Sequence, residues 1–293
     1  MTPPRVCCCA AAAAASLWLA LQFQGMLFYD QEKRGGERLV ERLSPNAFEC
    51  KNTTPPNWPD IALLTSFWQP HPCSKKNRSI CVGAGGDADR YPEIWRAARA
   101  NHVVSAHMWN LNYLVGGQKG KATAGAICKK MHWVREALQK VGEGQWVVVV
   151  DADAGFRCQS SITRTLQMAQ AESWAKLKAN PSIIDFQNFG FFAIRNDPIA
   201  RGILIRWTQY LQYHPLLCLF STVPTQVSFR DVYASEMKSA EGAHGRCRFV
   251  HVPTRSDILL HLIGQRGKAN ALTVDHFIER LNRETQCWLS LLP

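Results

Sequence analysis

Residues Trp146 to Phe156 constrain this chain more than any other stretch: Val147, Val148, Val149 and Val150 run without a break into Asp151-Ala152-Asp153. Apolar, mostly β-branched residues that follow a helical pattern and the Gly142-Glu143-Gly144 turn predict a strand buried on both faces, as parallel strands of α/β proteins are. Such a strand needs a layer of helices on each side, and the flanking sequence supplies them. Ile127, Met131, Val134, Ala137, Leu138 and Val141 are spaced for one face of a helix over Ala126–Val141. Helical patterning returns over Ser161–Leu177 and Pro198–Tyr213. Further strands are expected at Ile61–Phe67, at Asn101–Ala106 after a helix over Tyr91–Ala100, at Ser182–Phe186 and at Phe189–Ile194. Strands alternating with helices make an α/β sandwich, and no internal repeat is visible.

The 293 residues are enough for one large core, and 46% apolar against 19% charged residues is a globular balance. A formal charge of +11 suits an anionic partner: nucleic acid, an anionic membrane or a phosphorylated substrate. The basic residues are scattered and no nucleic-acid motif is present, so nucleic acid is not an expected partner. Val6–Phe28 carries no charge in twenty-three residues, long enough to cross a bilayer as an apolar helix. It reads as a signal anchor or a signal peptide, with a buried N-terminal helix as the alternative. Residues 1–28 are therefore set apart, and residues 29–59, charged and then Pro- and Asn-rich, read as a stem. The folded domain is expected over 60–293. Sequons at Asn52 and Asn77 fit a secretory route. So do the eight cysteines beyond the apolar segment: Cys50, Cys73, Cys81, Cys128, Cys158, Cys218, Cys247 and Cys287. Their pairing cannot be deduced, although Cys73 and Cys81 could close a small loop.

The paired aspartates sit where ligands bind in open α/β sheets, beyond the carboxyl end of a strand. In an extended segment, residues two apart point the same way, so Asp151 and Asp153 offer two hard oxygens to one ion. Mn²⁺ or Mg²⁺ shared with a diphosphate fits that donor set. Downstream lie two further segments: Asn188-Phe189-Gly190-Phe191-Phe192-Ala193-Ile194-Arg195-Asn196, and His261 after the apolar run Ile258-Leu259-Leu260, followed by Gly264 and Lys268. A neutral imidazole can be a third ligand to the same ion. A Gly-containing turn lets main-chain N–H groups approach phosphate, and Lys268 can neutralise it.

An apolar strand into DxD, then NxGFFxIRN, then HxxG followed by Lys resembles the GT-A class of nucleotide-sugar glycosyltransferases. Within that class the likeness is to the retaining galactosyl- and xylosyltransferases of glycosyltransferase family 34. Asn112-Tyr113 and the Lys129/Lys130…Arg135 segment echo the same family, and the likeness spans roughly residues 60–280. It implies a Rossmann-like single domain with a mostly parallel central sheet behind an N-terminal apolar helix. It also implies a Mn²⁺-bound UDP-sugar donor, a glycan or glycoprotein acceptor, and a single-pass type II Golgi membrane protein with a lumenal domain. Carried over, Asp151, Asp153 and His261 would hold the metal. Gly264 and Lys268 would contact the diphosphate, and Asn188 and Gly190 would line the sugar and acceptor side.

One position departs from the pattern. Where the family carries an Asp-Gln pair near the reacting sugar carbon, this chain has Thr225-Gln226. Gln226 can keep its role, with Asp185 or Asp231 as the acidic partner. Front-face retaining transfer, in which the departing phosphate takes the acceptor's proton, needs no strong protein nucleophile. Two alternatives stay open on the sequence: a catalytically inactive secretory-pathway protein with a transferase-like fold, and a haloacid-dehalogenase-like phosphatase with Asp151 as nucleophile. The phosphatase pattern would want Thr or Val where Gly155 stands.

Overall fold

The computed structural model describes residues 58–68, 91–117, 128–177, 180–187, 189–220, 228–229, 231–232, 249–251, 258–262 and 273–292. The apolar N-terminal segment, the stem, both sequons and the Cys73–Cys81 loop lie outside the described residues. Among those described, no helix is long and apolar enough to cross a membrane.

In chain order the elements are β1 (Ile61–Trp68), α1 (Tyr91–Met108), β2 (Asn112–Gly117), α2 (Lys129–Leu138), β3 (Trp146–Asp151), β4 (Ala154–Phe156) and α3 (Ile162–Leu177). Then follow β5 (Ile183–Gln187), β6 (Phe191–Arg195), α4 (Pro198–Tyr213), α5 (Pro215–Phe220), β7 (Phe249–His251), β8 (Leu259–His261) and α6 (Val274–Leu289). Six strands form one sheet in the order β2-β1-β3-β6-β5-β7, while β4 and β8 pair as a second, two-stranded sheet. β6 alone runs against its neighbours β3 and β5; the other pairings in the large sheet are parallel. The expectation of a mostly parallel central sheet in an α/β fold therefore holds.

The valine run of β3 sorts its side chains by the period of two. Val147 and Val149 enter a core with Met131, Val134 and Leu138 of α2 and Ile203, Leu204 and Trp207 of α4. Val148 and Val150 enter another with Ile162 and Leu166 of α3, Phe156 of β4 and Phe191 of β6. All four are fully buried. At about 1.5–3 kcal/mol for each buried Val side chain, the run is a large share of what fixes the strand. α4 spans the Pro198–Tyr213 that its pattern predicts: Asp197 caps it, accepting from the Ala200 N–H at 2.8 Å, and Pro198 takes a first-turn position.

Two expectations are corrected. Asn101–Ala106 is not a strand but the continuation of α1. Val103 and Val104 suggested β structure, yet Ile94, Ala97, Ala98, Asn101, His102, Ser105 and Ala106 are buried at helical spacing, and Val103 is 46% exposed. The helix read over Ala126–Val141 is shorter, Lys129–Leu138, with Gln139 as its C-cap. Other elements carried no expectation: β2, an edge strand beside β1; the β4–β8 pair; α5; β7; and α6, which packs Phe277 and Leu281 against Ile94, Ala97 and Ala98 of α1.

Candidate metal centre

β1 is followed in sequence by β2 on one flank and pairs with β3 on the other. The winding of the sheet reverses there, and the crevice beyond the strand ends at such a point is where open sheets bind ligands. Asp151 ends β3 at that edge, in register with Phe67 of β1. The chain turns through Ala152 and Asp153 and re-enters extended structure as β4. Asp153 therefore reaches the site by a turn, not by the alternation of an extended strand. The small sheet completes the arrangement: β4 lies antiparallel to β8, with Ala154 opposite His261, and the Leu262 N–H donates to Asp153 O at 3.1 Å.

One ligand atom each from Asp151, Asp153 and His261 lies within 4.8 Å of the others. Asp153 and His261 are almost entirely buried, with Nε2 of His261 3.3 Å from Oδ1 of Asp153, while the Asp151 side chain keeps 31% of its surface exposed. Burial alone would raise Asp153 and lower His261. Their mutual attraction outweighs it, so the Asp153 carboxyl is held below its ordinary range and the imidazole above. Two carboxylate oxygens and one imidazole nitrogen, held by three different strand ends, suit a divalent ion of the Mn²⁺ type.

A fourth group enters the cluster from α2. The buried Lys130 ammonium donates to Oδ1 of Asp151 and, at 2.7 Å, to the carbonyl of Phe189. On the sequence Lys130 belonged only to a helix echoing the family, and nothing distinguished it from Lys129. Phe189 adopts a left-handed backbone (φ 58°), uncommon for a bulky side chain. It is held there by the ring contacts with Phe192, Trp207, Phe229 and Phe249, and by Asp185, whose Oδ1 accepts from the Phe189 N–H at 2.8 Å. The same turn sends Gly190 O to the Asp151 N–H at 2.7 Å.

The other expected residues distribute as follows. Gly190 lies in this turn beside the strand end. Asp185 is buried in β5 beneath it. Asp231 accepts from the Tyr210 hydroxyl of α4 at 2.8 Å. Asn188, Thr225, Gln226, Gly264 and Lys268 lie outside the described residues. Gly155, in the middle of β4 and opposite Leu260, has no space for a side chain. A Cβ there would fall inside the envelope of Leu281 and 3.0 Å from Oδ1 of Asn101. The Thr or Val that the phosphatase pattern requires at this place has nowhere to go.

Two disulfides flank the site. Cys128–Cys218 ties the start of α2, two residues before Lys130, to α5. Cys158–Cys287 ties the chain after β4 to α6, and Glu284 of that helix accepts from the Cys158 N–H at 2.7 Å.

No protein-family model matches the chain, and neither does any curated protein. Among solved structures, a glycosyltransferase involved in the glycosylation of the major capsid of PBCV-1 overlays 76% of this chain and 100% of its own at 12% identity, with a TM-score of 0.45. A protein described as a nucleotide-diphospho-sugar transferase, from Desulfovibrio desulfuricans G20, overlays 79% of this chain and 97% of its own at 13% identity, with a TM-score of 0.35. Likenesses that distant leave function to be argued from the residues at the strand end.

Proposed function

We propose that this chain is a metal-dependent glycosyltransferase that binds a nucleotide-diphosphate sugar, a UDP-sugar on the family resemblance, and moves its hexose or pentose to a glycan or glycoprotein acceptor. One observation carries the proposal: His261, distant in sequence from Asp151 and Asp153, converges with them on one point beyond the carboxyl end of the buried strand. The same reading places the catalytic domain in the Golgi lumen behind an N-terminal anchor.

Asp151, Asp153 and His261 are the residues that would hold the ion. When bound, a divalent ion supplies the positive charge that stabilises the diphosphate as a leaving group. Charge balance gives Lys130 a part. The two carboxylates and one ammonium sum to a single negative charge, so a divalent ion leaves the centre positive and attractive to diphosphate. Without Lys130 the loaded centre would be neutral. Lys130 also binds the 189–190 turn to the tip of β3, holding Phe189 and Gly190 beside Asp151.

In the retaining reaction of this reading, the bond from the anomeric carbon to the phosphate oxygen breaks and one to the acceptor oxygen forms on the same face. The departing phosphate oxygen takes the acceptor's proton. Gln226 and Asn188 are the proposed groups beside that carbon. Asp185 acts through the turn it caps, since its Oδ1 already accepts from Phe189. The test is calorimetric titration of the full chain in detergent with a panel of nucleotide sugars, with and without Mn²⁺. Mn²⁺-dependent binding of one donor, lost in Asp153→Ala, is expected. Absence of donor binding by the wild type with Mn²⁺ present would remove the proposal.

A further inference from the structure

β4 is three residues long and carries much of the candidate centre. Asp153 immediately precedes it, and its partner β8 ends in His261. Main-chain groups along a strand alternate between its two edges. Asp153 O faces β8, where it accepts from Leu262, so Ala154 and Phe156 present their groups to the opposite edge. No strand lies there among the described residues. Two adjacent side chains of α1 take its place. Asn101 Nδ2 donates to Phe156 O at 3.0 Å, and the Phe156 N–H donates to Asn101 Oδ1 at 2.6 Å. This is the paired exchange that a neighbouring strand residue would make. His102 Nε2 lies 2.8 Å from Ala154 O; a carbonyl only accepts, so that nitrogen carries the proton. Nδ1 is then an acceptor for the Tyr113 hydroxyl at 3.3 Å, which in turn accepts from Ser66 Oγ at 2.7 Å.

We propose that Asn101 and His102 are positioning residues for the metal centre: as a side-chain substitute for a third strand, they fix β4 and so set Asp153 against His261. The inference rests on the metal-binding reading above. Both residues are fully buried, and a helix interior has no need of an amide and an imidazole there. Both amide atoms of Asn101 and Nε2 of His102 are spent on β4. The missing side chain of Gly155 lets Asn101 and Leu281 close onto β4 where a Cβ would stand. Tyr113 and Ser66 act one step further back, fixing the His102 tautomer.

The experiment measures Mn²⁺ alone, by calorimetry and by the electron paramagnetic resonance of the bound ion, on the full chain in detergent. Partners that orient ligands are worth about 10–100-fold in metal affinity. Asn101→Ala and His102→Leu are expected to weaken Mn²⁺ by that factor and to change the resonance line shape. His102→Gln keeps an N–H donor for Ala154 and should recover to within about threefold. Leu204→Ala, in the core on the other face of the sheet, should lower thermal stability and leave Mn²⁺ affinity and spectrum unchanged. If Asn101→Ala and His102→Leu do not fold, Tyr113→Phe, which removes one hydroxyl, should still weaken Mn²⁺ severalfold and shift the spectrum. Wild type that binds Mn²⁺ together with folded Asn101→Ala, or Tyr113→Phe in its stead, of wild-type affinity and spectrum would overturn the proposal alone. Wild type that does not bind Mn²⁺ would overturn the metal reading, and this inference with it.

Discussion

His102 should make the protein lose stability in mild acid by a calculable amount. Burial among Trp95, Tyr113 and Phe156 pushes its pKa from the ordinary 6.5 down to about 4, although the hydrogen bond to Ala154 pulls the other way. Unfolding exposes the imidazole and restores its affinity for a proton. A folded pKa below the unfolded one means the contribution is complete above about pH 6.5 and is lost as pH falls through 4. At about 1.36 kcal/mol per unit, the loss is about 2 kcal/mol by pH 5 and about 3 kcal/mol by pH 4. That is a large part of the stability of an ordinary domain. The assay is urea unfolding by tryptophan fluorescence, disulfides intact, at intervals from pH 8 to pH 4, on wild type and His102→Gln. The variant is expected to be weaker at neutral pH. The gap should close by about 3 kcal/mol toward pH 4, with wild type taking up to one extra proton on unfolding. Asp153, held low by His261, also loses stability in acid, but it does so in both proteins and cancels in the difference. A gap that stays constant across the range would refute the account of His102 as a buried neutral base.

Gly155→Ala should cost about 1–3 kcal/mol because its Cβ meets Leu281 and Asn101. A double-mutant cycle with Leu281→Ala should recover part of that, read as the change in urea midpoint. Asp185→Ala should destabilise by about 1–3 kcal/mol by leaving the Phe189 N–H unpaired in a buried turn, and Asp185→Asn, which still accepts, should cost less by the same measurement. Reducing Cys128–Cys218 and Cys158–Cys287 should release loops of 90 and 129 residues, each closed at an entropic gain of about 4–5 kcal/mol in the unfolded-chain treatment. A melting temperature unchanged by dithiothreitol would contradict that. Lys130→Met should weaken the Mn²⁺-dependent binding of a nucleotide sugar more than that of Mn²⁺ alone, tested by calorimetry on both ligands.

The strand that holds the site was legible because four valines admit only one environment, and α4 because its Ile, Leu and Trp residues recur at helical spacing. His261 was legible through the order of motifs, not through its own surroundings. What hid the rest was length and distance. β4 and β8 have three residues each, too few to show a period, and they pair across a long stretch of chain. Two β-branched residues outweighed helical spacing in α1, although Asn101, His102 and Ser105 on an otherwise apolar face were a signal that polar atoms were needed inside. α6 offered Val274, Phe277, Leu281 and Trp288 at helical spacing, a pattern diluted by the charged residues between them. Lys130 became distinct from Lys129 only when α2 was docked against β3.

The pairing of β4 with β8 also has a consequence for synthesis. A chain emerges from its amino end, and the parallel core around β3 can begin to form once α3 and β6 are out. The third member of the cluster, His261, arrives with β8, and the helix whose Leu281 packs against Gly155 follows it. A nascent chain therefore carries Asp151 and Asp153 as an unfinished pair until β8 has emerged. Truncation before His261, or stalling there, leaves a product that can hold much of the core around β3 but lacks the third member of the Asp151–Asp153–His261 cluster.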